Sequence, residues 1–164
     1  MKIRILVVLA VAIVLSGCTF KALLFPVQGP LSGQSPLPRY PVKMSGVFKS
    51  GSIVATLGGG EVCSGRITFM RGKEEADYQT STTNPAVKDI AAAWDAVYGA
   101  GFYTAHVLGG TQFAQGECKS DRGTTMSFQV LQRVKENSND TFNASKDMKG
   151  VAVDNRGNVF KMAF

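Results

Sequence analysis

From residue 42 onward, apolar and polar positions mostly alternate with a period of two, the pattern of strands buried on one face. Val42–Ser50 and Ser52–Leu57 flank Gly51, and Ile53, Ala55 and Leu57 share a face in the second. Gly58-Gly59-Gly60 turns the chain into Glu61–Met70, where Cys63, Gly65, Ile67 and Phe69 face one way and Arg66 and Thr68 the other. Phe102–Leu108, Gln112–Lys119 and Thr124–Arg133 read as further strands, divided by Gly109-Gly110 and by Ser120-Asp121-Arg122-Gly123. Val151–Asp154 and Asn158–Phe164 read as a hairpin around Asn155-Arg156-Gly157. The polar stretches Arg71–Thr83 and Glu136–Asn143 read as loops.

The period changes once. Asn84 suits a helix cap, Pro85 the first helical position and Gly99 the stop. Between them Val87, Ile90, Ala91, Trp94, Val97 and Tyr98 form one apolar stripe at helical spacing, which predicts a helix that packs Trp94 against the sheet. The expected fold is therefore mainly β: an antiparallel sandwich or barrel-like sheet over residues 42–164 with one packed amphipathic helix.

The start of the chain has a different pattern. Lys2 and Arg4 precede an apolar run from Ile5 to Leu15, and Leu15-Ser16-Gly17-Cys18 follows. The run is too short to span a membrane and has the layout of a secretory signal over residues 1–17. Ser16-Gly17-Cys18 resembles the lipobox of bacterial lipoproteins, which implies cleavage before Cys18 and acylation of its thiol and amino group, palmitate included. The alternative is an ordinary signal peptide cut nearby, leaving Cys18 as a plain thiol. Thr19 in place of an aspartate resembles the sorting pattern for the outer membrane of a Gram-negative envelope. Five of the six prolines fall between Thr19 and Pro41, so residues 18–41 read as an extended tether. Within it Leu23, Leu24 and Phe25 are apolar enough to rest at the lipid headgroups or to dock on the domain.

Charge and cysteine content narrow the picture. The formal net charge of +6 falls to +4 once Lys2 and Arg4 leave with the signal. That surplus suits anionic headgroups or acidic envelope polymers. Basic residues are not clustered with aromatic ones as a nucleic-acid surface requires, so no nucleic-acid partner is expected. With Cys18 acylated, Cys63 and Cys118 remain as a pair in an oxidising compartment, either bridged or as two buried thiols. Gly60-Glu61-Val62-Cys63-Ser64-Gly65-Arg66 and Gly116-Glu117-Cys118-Lys119-Ser120-Asp121-Arg122 are faintly alike, and a disulfide would join them if they lie side by side.

Candidate chemistry is sparse. His106 is the one histidine, available as a general base but without a nucleophile motif beside it. Glu61 and Glu117 could pair as acid and base, as in glycoside hydrolysis, or stand solvated at turn-to-strand junctions. Gly58–Gly60 lacks the lysine and the helix of a phosphate loop, and Asp154–Asn158 lacks the acidic spacing of a calcium loop. Neither a cofactor nor a metal is expected. Phe160, Met162 and Phe164 share a face as in the closing strand of membrane barrels, but the helix and polar loops favour a sheet in water.

From Leu24 onward the chain resembles a group of small proteobacterial lipoproteins of unknown function. The resemblance rests on Leu24–Ser32, Gly60–Gly65, Ala93–Gly99, Gly101–Gly109 and Gly150–Val159. It implies an envelope location and no activity. The expectation is a lipid-anchored binding or interaction module of the outer membrane, facing periplasm or surface, with an envelope protein or polymer as partner. The alternatives are a small hydrolase of an envelope polymer and a purely structural lipoprotein.

Overall fold

A computed structural model describes residues 18–47, 49–71, 85–108, 112–132 and 143–164. The expected leader and the Asn84 cap lie outside these residues, as do most of the loops expected after residues 71 and 136.

The described chain forms a closed antiparallel barrel of eight strands in sequence order: β1 (Cys18–Gln28), β2 (Tyr40–Val47), β3 (Ser50–Thr56), β4 (Val62–Arg71), β5 (Gln112–Ser120), β6 (Thr125–Gln132), β7 (Met148–Asp154) and β8 (Val159–Ala163). Each strand pairs with the next, and β1 closes the ring on β8 through pairs such as Leu23↔Ala163 and Phe25↔Lys161. All eight strands lie within residues 18–164, so the barrel is complete within that range.

The alternation along each strand decides which face is inside. Leu24, Val42, Met44, Ile53, Ala55, Ile67, Met126, Phe128, Val130, Ala152, Phe160 and Met162 point inward and form one buried cluster. Small barrels of this strand number are filled by side chains, and this one is packed rather than hollow. Lys43, Glu117, Lys119, Lys149 and Lys161 alternate with those residues and stand exposed outside. This is the reverse of a membrane-spanning barrel, whose apolar side chains face outward. No helix among the described residues is long and apolar enough to cross a membrane.

The pair Cys63 and Cys118 is a disulfide inside the barrel, with Cα atoms 5.4 Å apart. β4 and β5 are neighbours, with Gly65 opposite Cys118 and Cys63 opposite Ser120, so the two similar sequence segments lie side by side. A Cβ at Gly65 would overlap the Glu117 carbonyl; glycine lets the strands approach closely where the bridge crosses.

The helix α1 (Pro85–Tyr98) lies outside the barrel against β6, β7 and β8. Its buried stripe of Ile90, Ala93 and Trp94 meets Val151, with Leu131, Val153 and Val159 around it. Trp94 Nε1–H donates to Gln129 Oε1 at 2.8 Å, which satisfies two buried polar groups at once. Gly99 ends the helix with φ +110° and donates its N–H to the Asp95 carbonyl at 3.0 Å.

Three expectations need correction. Residues 18–41 are not a tether: most of them form β1 and the turn that follows it, and the domain begins at Cys18 rather than Val42. Ala22, Leu24 and Pro26 alternate into the core, and Pro26 sits where the β1–β8 register shifts, a position that needs no ladder N–H. Residues 102–108 are not a strand but one π-helical turn over Tyr103–Val107, closed by Leu108 N–H on the Tyr103 carbonyl at 2.8 Å. Asp95 Oδ1 accepts from Tyr103 N–H and holds this turn against α1. Lastly, a short helix α2 (Ala144–Asp147) precedes β7, which starts at Met148 rather than Val151.

Candidate functional site

The odd-numbered strands all end at one rim of the barrel, and Glu61 is built into it. Its carboxylate is almost wholly buried; Oε1 accepts a short hydrogen bond from the Ser120 hydroxyl, and Oε2 lies 3.8 Å from the Arg156 guanidinium. The Ser120 bond, the adjacent Thr124 hydroxyl and the nearby Arg156 and Arg122 charges outweigh burial and hold the Glu61 carboxyl below its ordinary range. Thr124 Oγ1 is buried with no hydrogen bond of ordinary geometry, so Ser120 is the principal partner.

The rest of the rim is likewise satisfied. Asp154 accepts from the backbone N–H groups of Arg156 and Asn158 and from Asn158 Nδ2 at 2.8–2.9 Å. Asn158 Oδ1 in turn accepts from Leu31 N–H, pinning the β1–β2 connection across this end. Arg122 donates to the Gly59 carbonyl, and Asn155 bridges to Thr125 and Gly123. The buried Glu61 and Asp154 carboxylates thus both have hydrogen-bond donors at this end of the barrel.

The three candidate catalytic residues are not brought together. Glu117 is exposed on the outer face of β5, opposite Arg66 and Ser127. Arg66 is five residue steps along the strand from Glu61, roughly 16 Å at the strand rise. His106 is exposed on the π-helical turn, where its ring leans on Phe102 with centroids 4.7 Å apart. It ends an aromatic stack that runs through Trp94, Tyr98 and Phe102. Among the described residues, no three His, Cys, Asp or Glu side chains converge as a metal site would need.

Two outer grooves are formed by described residues. One, of about 200 Å³, is mostly polar and runs beside α1 between Arg66, Gln115, Glu117 and Ser127. The other, of about 700 Å³, is mostly apolar and crosses β8, β1, β2 and β3; Leu23, Phe25, Pro41, Val54 and Phe164 form its floor, and Lys21 and Lys43 one end. Leu23 is 39% exposed, and Val27 and Leu37, also on the surface, reach 41% and 43%. Arg39 lies over the Phe25 ring at 5.9 Å. Val62 and Leu108 are the other exposed large apolar side chains among the described residues, at 47% and 37%, and lie outside this groove. Reading residues 18–41 as a tether hid this groove; the outward positions Lys21, Leu23 and Phe25 show it once their period-two spacing is recognised.

The described residues form a small, solidly packed eight-stranded barrel with an external helix and an apolar outer groove. No family model, curated protein or solved structure matches the chain.

Proposed function

We propose that this protein is a lipid-anchored envelope module that works by binding rather than catalysis, and that the groove over β8, β1, β2 and β3 is its binding surface. The observation that carries this reading is the groove itself: its volume falls in the range of ligand clefts, and its lining is apolar with a few cationic groups at the margin. The hydrolase alternative lacks the geometry it needs, since His106, Glu61 and Glu117 stand apart and Glu61 is committed to Ser120. The lipobox places the anchor at Cys18, the first residue of β1, so the anchored barrel is held flush against its membrane instead of on a spacer. The resemblance to small proteobacterial lipoproteins agrees with the location and adds no activity.

Hydroxyl-radical footprinting in intact envelopes tests the binding surface. Leu23, Phe25 and Val54 are expected to be protected relative to the extracted protein, with His106 unchanged. Protection centred on His106 and Glu117, or none at Leu23 and Phe25, would overturn the assignment. Palmitate labelling tests the anchor separately: Cys18→Ala is expected to abolish the label and release the protein from membranes.

A further inference from the structure

Along the outer face of the barrel the residues fall into rows, because facing positions on neighbouring strands are in register. One row sets Lys21 directly opposite Lys43, with Val54 beyond it. The next sets Ala163, Leu23 and Pro41 side by side, and a third carries Lys161 and Phe25. Like charges directly opposite each other weaken a sheet. Among the described residues no carboxylate lies within ion-pair distance of Lys21 or Lys43. The pair is thus a repulsive element at the charged end of an apolar groove, and an anion bridging it would remove the repulsion.

The position of the pair selects the anion. Lys21 is three residues from Cys18, about 10 Å along an extended strand. β1 also runs past the end of β8, since Cys18 to Ala22 pair with β2 alone. Deepening the binding reading above and resting on its choice of surface, we propose that the outer face of β1 and β2 docks on an anionic phospholipid bilayer. Lys21 and Lys43 share the lipid phosphates, and Leu23 and Phe25 rest at the boundary of headgroups and acyl chains. Arg39, held over Phe25, extends the basic margin on the side away from Cys18, whereas the Lys161 ammonium turns to the Tyr98 ring at 5.7 Å. The barrel lies on its side, and the surface acts with the anchor as the second of two membrane signals.

The test removes the anchor. A chain from residue 18 carrying Cys18→Ser is floated at low salt with vesicles of phosphatidylcholine alone or with one third phosphatidylglycerol. Binding is expected on the anionic vesicles, falling roughly fivefold for each of Lys21→Gln and Lys43→Gln. Leu23→Ser with Phe25→Ser is expected to weaken it further, whereas Lys119→Gln with Lys146→Gln, elsewhere on the surface, leaves it within twofold. Circular dichroism confirms that each variant is folded. Equal binding to neutral and anionic vesicles would overturn the proposal. So would an equal loss from the Lys119 and Lys146 variants, which would make net charge the whole effect. Binding of inorganic phosphate or of a monomeric short-chain phosphatidylglycerol without vesicle flotation would also overturn it, replacing a docking face with a ligand pocket. None of these outcomes touches the palmitate label on Cys18, so the docking face and the anchor fail separately.

Discussion

At the scale of single residues, the chemistry of this chain is mostly spent on closing the barrel. Glu61 stands at a turn-to-strand junction, where the sequence allows either a catalytic carboxylate or a solvated one. The structure buries it, with Ser120 arriving from another turn as its hydrogen-bond donor. A partner fifty-nine positions away leaves no local signal. The depressed Glu61 pKa fixes the sign of a pH effect. The stabilisation is complete above the ordinary carboxyl value of 4.5 and is lost as pH falls through the lower folded-state value. Glu61→Gln is expected to flatten the acid limb of a plot of melting temperature against pH; an unchanged acid limb would remove Glu61 from that account. Asp154→Ala should cost more at neutral pH, about 2–4 kcal/mol by urea unfolding, because it strands the Asn158 donors it now satisfies.

At the scale of elements, legibility followed periodicity and failed where local composition imitated another period. α1 was plain because six apolar positions, an N-terminal proline and a stop glycine agree, and Trp94 packs where the stripe places it. Phe102–Leu108 alternates well enough to pass for a strand, yet Tyr103 and Val107 are four apart and both buried, the spacing of a helical turn. β1 was hidden by Pro26 and by the prolines of the turn that follows it, Pro30, Pro36 and Pro38. Proline argues against a central strand only where the ladder needs its N–H, and Pro26 stands at a register shift. The helix energetics are testable through Trp94, which is fully buried and bonded to Gln129. Trp94→Ala is expected to cost about 3–5 kcal/mol, from lost packing and an orphaned amide. Trp94→Phe, which keeps much of the packing, separates the contribution of the hydrogen bond. A loss below 1 kcal/mol for the alanine variant, on the order of a surface change, would mean that α1 is not part of the cooperative unit.

At the scale of the whole molecule, the outcome turns on closure. Each strand carries its inward face in its own alternation, but nothing local tells β1 to pair with β8; that contact joins Leu23 to Ala163 across nearly the whole described chain. Once formed, the ring leaves no long unpaired edge among the described strands. The disulfide reinforces the same closure. It bridges β4 and β5 around the segment that contains α1, a sequence separation of 55, and both sulfurs are buried among core side chains. Chain-entropy reasoning assigns such a loop about 4 kcal/mol of stabilisation, expressed by restricting the unfolded chain. Replacing Cys63 and Cys118 together with alanine should therefore lower the unfolding free energy by up to that amount and raise the urea m-value, since the unfolded chain expands. The native barrel is already closed by hydrogen bonds on both sides of the bridge, so the variant should keep the oligomeric state of the parent protein and an unchanged far-ultraviolet spectrum. A variant that loses the β spectrum or associates would instead make the bridge a condition of barrel closure, with β4–β5 pairing unable to form without it.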